Sequence, residues 1–330
     1  MPGIAVVGAG RIGELHARHL AGSIPGAELV CVVDPDLSRA GSVACGRPAF
    51  ATLDEALKLA GVGAVVIASP TDLHAAQIEQ AARAGKAIFC EKPVGLELAR
   101  SSQALEAARD VPFQIGFQRR YDPTFSAAHK ALQAGEIGKL EMLRSLTCDP
   151  APPPREYLAV SGGIFRDMAI HDIDVARFFG GDVAEVTALG GCLVDPSLRE
   201  LGDVDTAILT LRFASGALGV LQAWRRAAYG YDIRAELMGS LGKLVLEQEA
   251  PIALRSYTSG GVSSGFYDGF LARFREAYRL ELCAFVEAVE AGRSPSPGPD
   301  DAVQSLRVAL AAGLSLQEGR TVRLEEVPSC

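Results

Sequence analysis

The chain has 330 residues, 48% hydrophobic and 22% charged. That is an ordinary folded composition at about twice the rough 150-residue domain length, so two domains are expected. A formal net charge of −8 argues against a nucleic-acid partner, and no run of about 18 apolar residues offers a membrane span. The opening Met-Pro-Gly-Ile-Ala-Val-Val-Gly enters a strand-like run with no basic segment or cleavage site, so a cytoplasmic protein is expected.

Strand-like and helix-like segments alternate through the first third. Residues 4–8 form a short apolar run, followed by a helical stretch over 11–21 and a second strand over 28–33 that ends at Asp34. Residues 54–60 read as a helix with Asp54 at its positive end. Residues 64–68 are wholly apolar, as befits a strand covered on both faces. A helix over 72–84 stops at Gly85; then come a strand at 87–90, a helix at 96–109 and a strand at 112–117. This alternation predicts a parallel, doubly wound α/β sheet, a Rossmann domain ending near Arg119. The division is therefore 1–119 and 120–330.

The remainder differs in kind. After a helix at 123–134 come a strand at 139–147, the stiff loop Pro150-Ala-Pro-Pro-Pro154 and a helix over 164–179. Strand candidates then follow one another at 183–193, 205–213, 217–224, 231–238, 243–247 and 252–257. Such a run predicts an α+β domain with a large, mostly antiparallel open sheet. Over 205–213, Ala207, Leu209, Leu211 and Phe213 line one face, and Thr206, Ile208, Thr210 and Arg212 line the other. The second face suits either a subunit contact or solvent. Helices at 269–291 and 300–318 close the chain, with Phe270, Phe274, Tyr278 and Phe285 at core spacing on the first. The seven cysteines, Cys31, Cys45, Cys90, Cys148, Cys192, Cys283 and Cys330, are odd in number and contain no C-x-x-C pair. Most should be small core residues.

Gly8-Ala-Gly10-Arg11-Ile12-Gly13 is a G-x-G-x-x-G at the first strand–helix join. Gly8 permits the tight turn, Gly10 lets backbone approach a pyrophosphate, and Gly13 lets helix and strand pack closely. The pyrophosphate would rest on the N–H groups of the helix terminus. Asp34 ends the second strand, 21 residues past Gly13. A carboxylate there can accept from ribose hydroxyls and repels a 2′-phosphate, which points to NAD rather than NADP. Arg39 lies close behind and reads as a solvated helix residue. An accidental glycine-rich turn is the competing description, and the strand–turn–helix context weighs against it.

Ligands of open α/β sheets bind at the carboxyl ends of the strands. Two loops fall there: Ser69-Pro70-Thr-Asp-Leu-His74 and Glu91-Lys92-Pro93. An ammonium at Lys92 could hold a substrate hydroxyl and stabilise an alkoxide, although lone lysines are usually solvated. In the second half, Asp167 and His171 stand four apart, and Asp174 three further on, which is one face of a continuous helix. Carboxylates flanking an imidazole suit general base chemistry. A solvated helix with an incidental histidine is the bland alternative, and Asp172 fits it.

The segments I-A-V-V-G-A-G-R-I-G-x-x-H, S-P-T-x-x-H, C-E-K-P-V, G-F-Q-R-R-Y-D-P and G-G-I-F-x-D-x-x-I-H-D-I-D together resemble the glucose–fructose oxidoreductase/inositol dehydrogenase/rhizopine catabolism (Gfo/Idh/MocA) family. The likeness covers essentially the whole chain. Within the family it is greatest to inositol 2-dehydrogenases, through residues 116–123, 149–154 and 167–174. The resemblance implies NAD-dependent oxidation of a secondary hydroxyl on a polyol, with Lys92, Asp167 and His171 as the catalytic group. His171 would take the hydroxyl proton, Lys92 would bind the same oxygen, and Asp167 would hold an adjacent hydroxyl or the imidazole. It further implies a dinucleotide site built from Gly8, Gly10, Arg11, Ile12, Gly13, Asp34, Ser69, Pro70, His74, Glu91 and Lys92. Polyol contacts would come from Arg119, Arg120, Asp174 and Tyr229 or Tyr231. A cis Lys92–Pro93 bond and a homotetramer built through the second-domain sheet are also implied. At Thr147-Cys148-Asp149 the chain departs from the histidine and asparagine of some relatives, so no substrate contact carries over there. An NAD(P)-dependent aldose dehydrogenase is the alternative among enzymes. A catalytically inactive dinucleotide-binding sensor is the alternative outside them, and the retained Lys92, Asp167 and His171 weigh against it.

Overall fold

The computed structural model describes residues 3–247 and 250–328; Cys330 lies outside them. Contacts divide the chain into two compact units. The first runs as far as Tyr121 and adds Glu276–Gln304; the second holds Asp122–Arg275 and Ser305–Ser329. This partition is discontinuous in sequence, unlike the linear division at residue 119.

In the first unit β1 (Gly3–Val7), β2 (Glu28–Val33), β3 (Ala49–Phe50), β4 (Val62–Ile67), β5 (Ala87–Glu91) and β6 (Phe113–Gly116) form one parallel sheet. Its strand order is β3-β2-β1-β4-β5-β6, the doubly wound arrangement expected, with its reversal between β1 and β4. The intervening helices are α1 (Arg11–Gly22), α2 (Leu37–Val43), α3 (Leu53–Leu57), α4 (Thr71–Arg83) and α5 (Leu98–Ala107). Asp36 caps α2 by accepting from the Ser38 and Arg39 N–H groups, and Thr52 with Glu55 forms a capping box on α3. β1 and β5 are buried at every position, because a parallel strand covered by helices has no wet face. One core cluster joins Ile4, Val6, Leu20, Leu29, Val32, Val66 and Phe89 to Leu282, Phe285 and Val286 of the helix Arg275–Glu290. Burying side chains of this size contributes roughly 1.5–3 kcal/mol each, so a late helix is built into an early sheet.

The second unit contains α6 (Pro123–Gln133), β7 (Leu140–Cys148), α7 (Arg155–Leu158), α8 (Ile164–Asp167), α9 (Ile170–Gly180), β8 (Val183–Gly191), β9 (Thr206–Phe213), β10 (Leu218–Trp224), β11 (Asp232–Gly239), β12 (Gly242–Leu246), the hairpin β13 (Arg255–Thr258) and β14 (Gly261–Ser264), and β15 (Val322–Arg323). Seven of these strands form a sheet in the order β12-β11-β7-β10-β9-β8-β15. Only β7 and β10 pair in parallel, so the sheet is mostly antiparallel as expected. Along β9, Ala207, Leu209, Leu211 and Phe213 are buried while Ile208, Thr210 and Arg212 are exposed. The register carries that outward face across neighbouring strands: Leu189 opposes Ile208, Leu218 opposes Arg212, and Met142 opposes both Leu218 and Met238.

Two helices expected as continuous are broken. The segment 164–179 splits at Met168–Ala169, where the N–H groups of Met168 and Ala169 both bond the Ile164 carbonyl, at 3.0 and 2.8 Å. The wider turn that results ends α8 before α9 starts. The segment 269–291 splits at Phe274, which is fully buried between Phe270–Arg273 and Arg275–Glu290. The strand expected at 252–257 is found at Arg255–Thr258 as one arm of an exposed hairpin. Cys31, Cys90, Cys148 and Cys192 are buried, whereas Cys45 is exposed and Cys283 half-buried. Burial pushes the thiols of Cys31 and Cys148 up to about 11 and about 12, so both are inert packing groups. Among the described residues no helix is long and apolar enough to cross a membrane.

Candidate active site and dinucleotide cradle

At the carboxyl end of β1 the chain turns at Gly8, with φ +97°, where a Cβ would lie 2.5 Å from the Ala68 carbonyl oxygen. A Cβ on Gly13 would come within 1.8 Å of the Gly8 oxygen, so only glycine lets α1 pack on the turn. Gly10 is the opposite case, since a Cβ there would meet nothing within 4 Å. That open space fronts the start of α1, where Gly10 is the N-cap and no side chain caps the helix. Uncapped N–H groups beside a side-chain-free surface fit a pyrophosphate.

Asp34, at the end of β2, is nearly buried. Its Oδ2 accepts the Ala9 N–H at 2.8 Å and its Oδ1 accepts the Asp36 N–H at 3.0 Å. The carboxylate thus braces the glycine turn, and each oxygen keeps a lone pair for a ribose hydroxyl. At the end of β4, Ser69 Oγ donates to Gln77 at 2.6 Å. His74 is 1% exposed, with Nε2 2.8 Å from the Ser69 carbonyl oxygen and Nδ1 2.8 Å from that of Pro93. A neutral ring donates to one of these carbonyls and packs against the other, so His74 sits between the Ser69 loop and the Glu91-Lys92-Pro93 loop. Burial pulls its ring below the ordinary histidine range, and the two carbonyls pull the other way. The Lys92–Pro93 bond is cis, as the resemblance implied. Glu91 is buried and its Oε1 lies 2.7 Å from Nε2 of His16.

In the second unit, Asp203 Oδ1 accepts the Ile164 N–H at 2.9 Å and so caps α8, whose own N-cap is Gly163. Asp167 ends this helix. Its Oδ1 accepts from the Tyr157 hydroxyl at 2.7 Å, and its Oδ2 from Nη2 of Arg225 at 3.0 Å. The Arg225 side chain is 0% exposed against 12% for Asp167, so this ion pair is largely withdrawn from water. Neither Arg225 nor Tyr157 stands at a spacing from Asp167 that a local pattern would reveal. His171 is half-buried in the first turn of α9, beyond the Met168–Ala169 break. Asp167, His171 and Asp174 accordingly do not share one continuous helical face. The expectation of Asp172 as a solvated residue is overturned: it is 0% exposed and accepts from the hydroxyls of Ser145 and Thr147. Thr147 thereby helps fasten α9 onto β7.

The residues expected to contact a polyol are placed variously. Asp174, Arg119 and Tyr231 are 1%, 1% and 4% exposed. Tyr231 bridges to Tyr267 through its backbone and meets the Phe274 ring edge-on. Arg120 pairs with Asp301 at 2.7 Å. Tyr229 is half-exposed and donates to Asp232 at 3.0 Å, while Arg234 grips the same carboxylate with two N–H groups.

Comparison with known proteins identifies the family of the chain. Residues 3–117 match the model of the oxidoreductase family's NAD-binding Rossmann fold, and residues 125–245 match the GFO/IDH/MocA C-terminal domain. The inositol 2-dehydrogenase of Rhizobium meliloti strain 1021 is 40% identical over 97% of this chain and 98% of its own length. The scyllo-inositol 2-dehydrogenase (NAD(+)) of Bacillus subtilis strain 168 is likewise 40% identical, over 97% of this chain and 96% of its own. The crystal structure of scyllo-inositol dehydrogenase from Lactobacillus casei, with bound NAD(H) and scyllo-inositol, superposes with a TM-score of 0.92 at 30% identity, covering 98% of this chain and 99% of that one. With both halves of the chain matched, the protein belongs to the GFO/IDH/MocA family of oxidoreductases and carries its NAD-binding Rossmann domain.

Proposed function

We propose that this chain oxidises a secondary hydroxyl of a cyclic polyol, myo-inositol to the 2-keto-inositol, with NAD as the oxidant. The observation that carries this reading is Lys92, Asp167 and His171 standing in family motifs of a chain that matches inositol dehydrogenases along nearly its whole length. The cradle fits the cofactor: the Gly10 surface and the α1 terminus would take the pyrophosphate, and Asp34 the ribose hydroxyls. Arg11, Ile12, Ser69, Pro70 and Lys92 complete that site, and His74 and Glu91 hold its loops from behind. When bound, NAD accepts the hydride that leaves the carbinol carbon. His171 takes the hydroxyl proton. Lys92 holds the same oxygen and stabilises its developing negative charge. Asp167, fixed by Arg225 and Tyr157, orients a neighbouring hydroxyl or the imidazole.

Four copies assembling through the open face of the seven-stranded sheet complete the proposal. It is supported by Met142, Leu189, Ile208, Leu218 and Val245, all exposed apolar side chains on that sheet. Sedimentation would reveal a tetramer or disprove it. The substrate is tested by NADH or NADPH formation with myo-inositol, scyllo-inositol, glucose and galactose, each with NAD and with NADP. Fast turnover of an inositol with NAD is the expected result. Activity on an aldose alone would move the substrate and keep the site, and no activity on any of them would favour a dinucleotide-binding sensor.

A further inference from the structure

A polar cluster is sealed inside the apolar core of the first unit. His16 of α1 and Glu281 of the helix Arg275–Glu290 are each 0% exposed, and Glu91 at the end of β5 is 8% exposed. Their nearest nitrogen and oxygen atoms all lie within 4.8 Å of one another. Rings of Phe89 and Tyr278 stand edge-on to His16 at 5.4 and 5.9 Å. Nε2 of His16 meets Oε1 of Glu91 at 2.7 Å. Both oxygens of Glu281 are buried with no donor in reach, and Nδ1 of His16 is buried with no partner. The Gln114 amide donates to the Glu281 backbone carbonyl at 3.2 Å and not to its carboxyl group.

Two bare carboxylates cannot share such a pocket. Each needs donors, and each opposes the ionisation of the other. His16 supplies one donor, at Nε2, and Glu91 takes it. A second ring proton, at Nδ1, would itself be a buried donor with nothing to accept it. A metal ion is the other way to balance the charge. Ligands bound to one zinc at about 2.0–2.2 Å in tetrahedral geometry stand more than about 3 Å apart. The 2.7 Å contact between His16 and Glu91 is instead that of a hydrogen bond.

We infer that Glu281 is held as a neutral carboxylic acid beside Glu91, in a buried His16–Glu91–Glu281 cluster that fixes the residue directly before Lys92. The proton belongs to Glu281 because Glu91 already has a donor. Burial first, and then the charge of Glu91, push the Glu281 carboxyl well above the usual carboxylate range, in agreement with the geometry. Glu281 and His16 are thus positioning residues: they touch no substrate and act by holding the Glu91-Lys92 loop. Their effect on turnover rests on the reading of Lys92 as the group that holds the reacting oxygen.

The test uses the full-length protein and its Glu281→Gln and Glu281→Leu variants. In infrared difference spectra at pH 8, wild type should show the carbonyl stretch of a protonated carboxylic acid, and Glu281→Gln should lack it. Glu281→Gln, which keeps a neutral donor, should stay within about threefold of wild-type kcat on the polyol. Glu281→Leu should lose about tenfold or more in kcat with NADH affinity, read by fluorescence titration, little changed. Absence of the band, a Glu281→Gln as slow as Glu281→Leu, or one tightly bound metal ion per chain by elemental analysis would overturn the inference. The band is read without substrate and needs no Glu281→Leu protein. If it is present and no polyol is turned over, the proton assignment stands and the reading of Lys92 falls.

Discussion

Asp34 in the first unit and Asp167 in the second are both carboxylates with each oxygen anchored by a protein donor. Asp34 is held by backbone N–H groups of Ala9 and Asp36, which the strand–turn–helix geometry supplies wherever the chain takes that path. Asp167 is held by two side chains, Tyr157 and a fully buried Arg225 that comes from the end of a strand 58 residues away. The first arrangement is a property of a motif, and the second a property of the assembled unit. Perturbing Asp34 should therefore alter what is bound, whereas perturbing Asp167 should alter whether the second unit holds together.

The largest effect is expected at Asp167. Asp167→Ala leaves the Arg225 guanidinium buried and without its counter-charge, so urea unfolding should show a loss of about 3–5 kcal/mol. Asp167→Asn keeps an acceptor and should lose markedly less. Equal losses would mean that the pair is not the structural element described. Next come two glycines of one turn. Gly13→Ala drives a methyl into the Gly8 carbonyl and should cost about 1–3 kcal/mol of stability. Gly10→Ala, at φ −75° in open space, should leave stability within about 0.5 kcal/mol. It should nevertheless weaken NADH binding about tenfold or more in a fluorescence titration. If Gly10→Ala binds NADH normally, the pyrophosphate is not where the turn places it.

Smaller again is Asp34→Ala. It should bring kcat/KM for NAD and NADP closer together by about tenfold, with a modest stability loss from the two freed N–H groups. An unchanged cofactor ratio would leave Asp34 a brace and nothing more. The smallest effect concerns pH and His74. Its folded pKa lies below the ordinary value of about 6.5, so above that pH both folded and unfolded states carry it neutral. As pH falls below about 6.5 the unfolded chain takes up the proton first, and stability is lost until pH passes the folded pKa. Urea midpoints between pH 8 and 5 should fall less for His74→Gln than for wild type; identical slopes would contradict the assignment.

The same contrast governs what the sequence discloses. Gly8, Gly10, Gly13 and Asp34 are legible because their roles are fixed by neighbours within one βα turn. Alternating burial on β9 is legible because its period is two. The break at Met168–Ala169 carries no glycine or proline, so helical periodicity runs straight through it. Asp172 looks like a solvated carboxylate until the sheet brings Ser145 and Thr147 beneath it. Glu281 resembles any charged helix residue until its helix is found packed among Ile4, Val32 and Phe89. For Asp172 and Glu281 the partners lie far away in the chain, and no local pattern encodes the contact.

The chemistry is tested most directly by kcat/KM for myo-inositol with NAD in wild type, Lys92→Ala and His171→Ala, each shown by circular dichroism to be folded and by fluorescence titration to bind NADH. Wild type should turn over, and each variant should fall by about 10²–10⁴-fold while still binding the dinucleotide. Turnover within a few-fold of wild type in either variant would contradict the roles given to Lys92 and His171.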